Sequence, residues 1–278
     1  MAASALAFAA MTACGHALHD YCDWRITTVA RASIVLVFSV LIALRHRVRL
    51  VVFAPPTLWM RSLVGSGAML LTFYAMDRLP VGTLLTLTNT FPIWVTLLAW
   101  PVLGDRPAPA FIIAVISGVA GVALIEGPES ATIRPATIAA LLAAIGTAIV
   151  MIGLHRLRTL ESLAIVVHFS GTATVVCLGF AVVTTQSWGI DLSPLRNPVT
   201  LLLLVGVGAF ATLGQIGMTR AFAVGAPQNL SLVALSQVIF ALGFDWLFWN
   251  RLLTLATFAG TFLILAPVAW LLARPPRP

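Results

Sequence analysis

Long runs of apolar residues alternate with short polar segments along the whole chain. A helix that crosses about 30 Å of hydrocarbon needs about 20 residues, and most of the runs approach that length. Charged residues, prolines and glycines mark their ends. The pattern predicts about ten transmembrane helices, at 3–22, 27–44, 58–76, 81–101, 108–126, 135–154, 162–184, 198–219, 225–247 and 253–272. We therefore expect an all-α polytopic membrane protein with little folded mass outside the bilayer.

Composition supports the same fold class. The chain is 60% hydrophobic and 9% charged, with a mean hydropathy of +1.03. Soluble domains carry roughly 25% charged residues, and a soluble core has no room for this much apolar surface. The net charge of +7 comes entirely from arginines. They lie at the ends of apolar runs, which is typical of membrane topology and not of a nucleic-acid-binding face.

The arginines also predict an orientation. With the N-terminus inside and the spans alternating, more arginines fall on the inner side than on the outer side, which favours cytoplasmic termini in an inner (plasma) membrane. The inner set is Arg45, Arg47, Arg49, Arg61, Arg106, Arg156, Arg158, Arg220, Arg274 and Arg277, and the outer set is Arg25, Arg31, Arg78, Arg134, Arg196 and Arg251.

The chain repeats weakly with itself. Segment 64–82 resembles 205–225, since both start with Gly-x-Gly-Ala after a valine and end on an Arg followed by Val-Gly; segment 87–106 matches 232–251 in length. Each half, 1–130 and 131–278, then carries five predicted spans, and an odd number forces the second copy to enter the membrane from the opposite side. Inverted repeats of this kind are typical of transporters that work by alternating access. A duplicated structural bundle without transport is the less favoured alternative.

Several motifs together resemble the EamA-type drug/metabolite transporter superfamily over essentially the whole chain. They are FYAMDRLPVG (73–82), TFPIW (90–94) closing on LGDR (103–106), HRLRTLESLAIVVHFSG (155–171) and MTRAF (218–222). The resemblance implies a 5+5 inverted-repeat fold whose helices 1, 3, 4, 6, 8 and 9 line a central cavity, with helices 5 and 10 at the periphery. Members commonly export amino acids and related metabolites. Many carry Glu-Pro in the ninth helix, where this chain has Ser236-Gln237, so a role tied to that carboxylate does not carry over.

Neutral polar residues on the helices assigned to the cavity are the candidate substrate ligands. In lipid such groups need an internal partner or a wet cavity. The sequence shows no acid at the middle of a span, so we expect neutral, zwitterionic or apolar substrates, with amino acids favoured over highly charged molecules. A Ser or Thr also bonds its own helix backbone, which leaves a structural role open for several of them. The candidate set is His16, Tyr74, Thr86, Asn89, Trp94, Gln215, Thr219, Ser236 and Gln237.

Other functions and partners fit the sequence less well. A membrane-embedded enzyme needs clustered acids, metal ligands or an activated nucleophile, and Asp20-x-x-Asp23 is the only paired-acid candidate. A passive channel needs a continuous polar pore. We expect no catalytic site, cofactor or metal, and no nucleic-acid partner; the partners are a small-molecule substrate and the bilayer, with the protein a monomer or weak homodimer. Proton antiport through His16 and facilitated diffusion both remain open.

Overall fold

A computed structural model gives the architecture of the chain. It describes residues 1–18, 21–53, 55–76, 78–79, 84, 87–103, 109–126, 135–188, 191–249 and 254–272. Over these ranges the regular structure is entirely helical, as predicted. The α-helices are α1 Ala2–Leu18, α2 Trp24–Arg45, α3 Pro56–Met76, α4 Phe91–Leu103, α5 Pro109–Glu126, α6 Pro135–Arg156, α7 Ser162–Trp188, α8 Pro198–Val224, α9 Pro227–Ala234, α10 Ser236–Trp249 and α11 Leu255–Leu272.

The helices follow the predicted spans with two differences. The fourth predicted span starts at 81, and 81–83, 85 and 86 lie outside the described residues; residues 84, 87 and 88 are helical, and α4 begins at Phe91 after a turn at 89–90. The ninth span is divided into α9 and α10 at Leu235. By length and composition, five described stretches can cross a membrane, namely α2, α6, residues 162–184 of α7, α8 and the combined stretch 227–248; the described apolar parts of α1, α4, α5 and α11 are shorter.

Local chemistry explains where two long helices begin. The side chain of Asp23 accepts a hydrogen bond from the Arg25 backbone amide at the start of α2, and its carboxylate lies 2.9 Å from the Arg25 guanidinium. Burial raises the pKa of Asp23, but the Arg25 hydrogen bonds outweigh it, so the pKa lies below its ordinary value. The Asn197 side chain caps α8 in the same way, with Pro198 at the first helical position.

Helix pairing shows the internal symmetry of the fold. Three of the helix pairs that bring the first half into contact with the second involve α1 and α2: α1 packs against α8, α2 against α8, and α1 against α10. In the other half, α1 corresponds to α6, α2 to α7, α3 to α8, and α4 to the divided helix α9–α10. Replacing each helix by its counterpart gives the pairs α6–α3, α7–α3 and α6–α4, and all three are also in contact. The pairs α2–α7 and α5–α11 exchange into themselves. The fold is thus two inverted repeats of five spans, as the sequence predicted.

Close packing of small residues holds α5 against α11. A Cβ atom added to Gly121 would lie 2.6 Å from the Gly260 carbonyl oxygen and 2.9 Å from the Leu263 Cβ. The hydroxyl of Ser117 donates to the Leu263 carbonyl at 3.2 Å. Small residues allow helix backbones to approach this closely in a membrane. The small residues of this interface therefore have a structural role, away from the described wall of the central cavity.

Candidate functional site

A central cavity of about 270 Å³ lies between the two halves of the bundle. Its wall contains residues of α1, α2, α3, α4 and the segment before it, and of α6, α7, α8, α9 and α10. The described residues of α5 and α11 do not reach it, in agreement with the peripheral position expected for helices 5 and 10. Helices α2 and α7 contribute Arg31 and Phe169, which the resemblance had not placed at the cavity.

Two helix breaks lie at matching positions beside the cavity. Residues 87–88 are helical, Asn89 and Thr90 form a turn, and α4 then starts at Phe91. In the second half the matching point is Leu235, between α9 and α10, where the chain keeps helical dihedral angles but tightens: the Leu235 N–H donates to the Leu232 carbonyl and the Val238 N–H donates to the Leu235 carbonyl. Because segment 87–106 matches 232–251, Thr90 corresponds to Leu235. Both breaks place polar side chains on the cavity wall, since Asn89 lies in the first and Gln237 follows the second.

A buried arginine lies on the wall of the cavity. Arg61, in the second turn of α3, is 0% exposed. Its guanidinium carbon lies 4.0 Å from the centre of the Phe169 ring. None of Nε, Nη1 and Nη2 has a hydrogen-bond partner among the described residues. A cation in this setting is costly unless it is paired, so Arg61 is the most unusual group in the site.

Arg31 on α2 is a second cation on the same wall. Its guanidinium carbon lies 5.9 Å from the centre of the Phe73 ring. Phe169, the ring that contacts Arg61, lines a small adjoining void together with Arg31. Gln215 of α8 joins them on the wall of this void of about 10 Å³.

Sulfur and aromatic side chains form much of the remaining wall. Six of the seven methionines of the chain line the cavity: Met1, Met11, Met69, Met76, Met151 and Met218. Methionine is flexible and polarizable, and it is frequent on surfaces that accommodate more than one ligand. Phe8, Phe73, Phe91 and Phe169 add flat apolar surface. The site thus combines an adaptable apolar lining with a few polar groups, an arrangement typical of small-molecule pockets.

Comparison with known families agrees with this architecture. The model of the EamA-like transporter family matches residues 1–127 and again residues 134–273. This chain belongs to the EamA-like transporter family. The two matched stretches correspond to the two halves of the bundle, so the resemblance noted in the sequence is confirmed.

Individual relatives of this EamA-like transporter are also membrane transporters. The pseudopaline exporter CntI of Pseudomonas aeruginosa is 27% identical over 217 residues, which cover 75% of this chain and 72% of the relative. An uncharacterized transporter of Helicobacter pylori is 26% identical over 74% of this chain and 69% of its own length. Human solute carrier family 35 member G1 is 22% identical, covering 74% and 59%.

A solved structure shares the fold. A protein crystal structure with 17% sequence identity aligns with a TM-score of 0.78, over 98% of this chain and 97% of the other. At this identity the likeness concerns the fold alone. It covers nearly the full length of both chains, so the ten-span arrangement is common to both.

Three of the predicted site residues of the EamA-like transporter lie together on the cavity wall. They are Asn89, Gln215 and Gln237, the amides whose burial in lipid would be most expensive. Gln215 is 5% exposed. The amides come from the break before α4, from α8 and from α10, so helices of both halves converge on one space. On α1, Thr12 lines the cavity.

Five other predicted residues of the transporter lie away from the described wall of the cavity. The ring of Tyr74 packs edge-on against Trp24 at 6.4 Å and under Arg78 at 4.0 Å. The indole of Trp94 donates to the Thr90 hydroxyl at 3.3 Å. The hydroxyls of Thr219 and Ser236 each donate to a carbonyl of their own chain segment at 2.7 Å, those of Gln215 and Val233. His16 lies half-buried in the last turn of α1, and Thr86 lies outside the described residues.

Several other polar side chains of the transporter have structural partners. His168 bonds Ser62 Oγ through Nδ1 at 2.8 Å and the Val52 carbonyl through Nε2 at 3.2 Å, and packs edge-on against Trp59. Asp23 is engaged with Arg25 at the start of α2. The three cysteines are free thiols. Within the described ranges, no group of three or more His, Cys, Asp or Glu side chains could hold a metal ion.

Sequence reasoning missed the two arginines of the transporter site. The expectation that the arginines lie at the ends of apolar runs is wrong for Arg31 and Arg61, which occupy helix interiors and line the cavity. The signal was present, because both residues fall within the predicted spans 27–44 and 58–76. Both arginines were assigned to membrane topology, although a charge inside a predicted span also indicates a functional site.

Proposed function

We propose that this EamA-like transporter is a secondary transporter that exports small metabolites across the inner (plasma) membrane by alternating access around the central cavity. The observation that carries the proposal is the convergence of three amides and two arginines from both halves on a single cavity of about 270 Å³. Polar groups at membrane depth are costly. A ligand bound between the halves would pair with these polar groups and offset the cost of burying them.

The helix breaks support alternating access. In inverted-repeat transporters, discontinuous helices at the repeat interface commonly form the substrate site. Here the breaks at Asn89–Thr90 and at Leu235 correspond in the two halves. An exchange of conformations between the halves would swap the roles of the two breaks and open the cavity to the other side.

The proposed substrates are small metabolites that combine an apolar body with a polar group. The methionine and phenylalanine lining suits the apolar body, and the amides suit a hydrogen-bonding group. Amino acids, favoured on sequence grounds, belong to this class because their carboxylate could bind an arginine. We also propose the topology and state expected from the sequence, with both termini cytoplasmic and the protein a monomer or weak homodimer.

Counterflow in proteoliposomes tests the proposal. Purified full-length protein is reconstituted with a high internal concentration of one unlabelled metabolite, and uptake of its labelled form is followed. Candidates include aliphatic and aromatic amino acids and carboxylic acids. Transient accumulation above equilibrium is expected for a carrier and does not occur through a channel. If every candidate equilibrates without overshoot, transport by alternating access is rejected for these metabolites.

A pH gradient applied in the same vesicles distinguishes the two coupling modes. Proton antiport predicts faster transport with the gradient and loss of that acceleration in His16→Gln. Facilitated diffusion predicts equal rates with and without the gradient. An outcome without stimulation removes the antiport mechanism.

A further inference from the structure

The unpaired guanidinium of Arg61 requires an explanation that the fold alone does not give. A guanidinium has five N–H donors, and all of them lie in its plane. Phe169 lies over the central carbon at 4.0 Å. A ring in that position interacts with the charge, but it has no lone pair to accept an in-plane N–H. All three nitrogens are buried and lack a partner in the described structure.

The surroundings of Arg61 add no opposite charge. The described residues that line the cavity include no Asp and no Glu, and the other ionic side chain among them is Arg31. His168 is near Arg61 but holds its Nδ1 toward Ser62 and its Nε2 toward Val52. Two cations and no carboxylate among the described lining residues give this wall a positive potential, which attracts anions and disfavours cationic ligands.

We propose that Arg61, whose three nitrogens are closed to the cavity in this conformation, turns its guanidinium toward the cavity and anchors the carboxylate of a net-negative organic substrate. The in-plane N–H groups form the fork that matches a carboxylate in two parallel charge-assisted hydrogen bonds. The inference rests on the proposed transport function and names its substrate class. It narrows the substrates proposed above and excludes the zwitterionic amino acids among them, because an ammonium group would meet no described acid in the cavity.

The lining of the cavity defines the rest of the substrate. Phe169 contacts Arg61 and packs in one cluster with Met69 and Phe73, and all of these line the cavity together with Met151. An apolar body against these side chains is desolvated at little cost, while the carboxylate is held by the guanidinium. The proposed substrate is thus a carboxylic acid with an aliphatic or aromatic body and no cationic group.

Calorimetric titration of the purified full-length protein tests the charge preference. Phenylacetate and phenylacetamide have nearly the same shape and differ in charge, and 2-phenylethylammonium reverses the sign. We expect phenylacetate to bind about 10- to 100-fold more tightly than the amide, as a charge-assisted hydrogen-bonded pair allows, and the ammonium to bind most weakly. Binding of the amide or the ammonium that equals or exceeds that of phenylacetate overturns the inference.

Substitutions then assign the preference to Arg61. In Arg61→Gln the preference for phenylacetate over phenylacetamide should fall to about one, whereas Arg61→Lys should keep part of it, because Lys retains the charge and loses the fork. Arg158→Gln removes an exposed positive charge and should leave the preference unchanged. A preference that survives in Arg61→Gln contradicts the inference. Inorganic phosphate is a further probe, and tighter binding of phosphate than of phenylacetate would reject the carboxylate assignment.

Thermal unfolding separates a binding role from a structural one. If Arg61 binds the ligand, its unpaired buried charge destabilises the ligand-free protein. Arg61→Met should then raise the unfolding midpoint by about 2–4 °C. The same variant should lose the stabilisation that phenylacetate gives the parent protein. If Arg61 is a structural residue held by Phe169, Arg61→Met should lower the midpoint instead, which would overturn the inference.

The binding and transport measurements have independent outcomes. Charge-selective binding through Arg61 without counterflow would keep the anion site and reject the proposed function. Counterflow of neutral metabolites that is unaffected in Arg61→Gln would keep the function and reject the anion site.

Discussion

Gly121 of α5 and Gly260 of α11 lie so close that a Cβ atom on Gly121 would be 2.6 Å from the Gly260 carbonyl oxygen. Any side chain at position 121 must therefore move a helix backbone. We expect Gly121→Val to destabilise the protein by roughly 1–3 kcal/mol through overpacking, seen as a lower unfolding midpoint in detergent. Gly67→Val adds the same side chain where nothing lies within 4 Å of the added Cβ, and a similar loss there would refute the packing explanation.

The contact between Ser62 and His168 makes a second stability prediction. Ser62→Ala leaves His168 Nδ1 without the partner it has at 2.8 Å; because His168 is only half-buried, we expect a loss of roughly 0.5–1.5 kcal/mol, the net value of one hydrogen bond. Ser66 is the matched control, because it is also 0% exposed and its hydroxyl donates to the Ser62 carbonyl in its own helix. Ser66→Ala should have a smaller effect on the unfolding midpoint. Equal effects of the two substitutions would show that the cross-helix bond does not matter.

The amides of the cavity wall make a prediction about transport. Asn89→Ala and Gln215→Ala should reduce counterflow, because both side chains line the cavity, while the variants remain monodisperse in detergent. Ser236→Ala should transport at the parental rate, since that hydroxyl donates to the Val233 carbonyl and lies away from the described wall. Parental rates in both amide variants would refute the cavity assignment.

The sequence predicted the fold because a chain that spans a lipid bilayer can adopt few kinds of backbone structure. Apolar run length determined the number of spans, and the similarity of 64–82 to 205–225 predicted the inverted repeat. The sequence also predicted a cavity position for Asn89, Gln215 and Gln237, since long amides in a span need a polar surrounding. Tyr74 and Trp94 show where this reasoning ends. Their partners, Trp24 and Thr90, depend on side-chain directions that helix assignments do not specify.

The sequence did not predict the cavity position of Arg61 and Arg31, for a different reason. Near a predicted span boundary, an arginine that marks the cytoplasmic side and an arginine buried in a cavity have the same sequence signature. The packing of α3 against α6 and α7, which encloses Arg61, arises only when the second half is in place. Single-helix patterns cannot show it.

The Arg61–Phe169 contact makes a prediction through a double-mutant cycle. Phe169→Leu should lower the unfolding free energy more in the parent than in the Arg61→Met background, because only the parent loses the interaction between charge and ring. The difference should be roughly 0.5–2 kcal/mol, the range of cation–π interactions. Phe169→Leu followed in both backgrounds by thermal unfolding measures it. Equal losses in the two backgrounds would mean that the ring contributes only apolar packing.

The buried charge of α3 also affects how the protein is made. Arg61 lies in the second turn of α3, where an arginine costs less than the roughly 2.5–3.5 kcal/mol of a helix centre but still opposes insertion into a membrane, and α3 is absent from the described helices that are long and apolar enough to span by composition. The neighbours that enclose Arg61, α6 and α7, are synthesised later. We therefore expect α3 to settle at full depth only after the second half of the chain has emerged from the ribosome. The two repeats, which resemble separate units in the sequence, would then depend on each other during biogenesis.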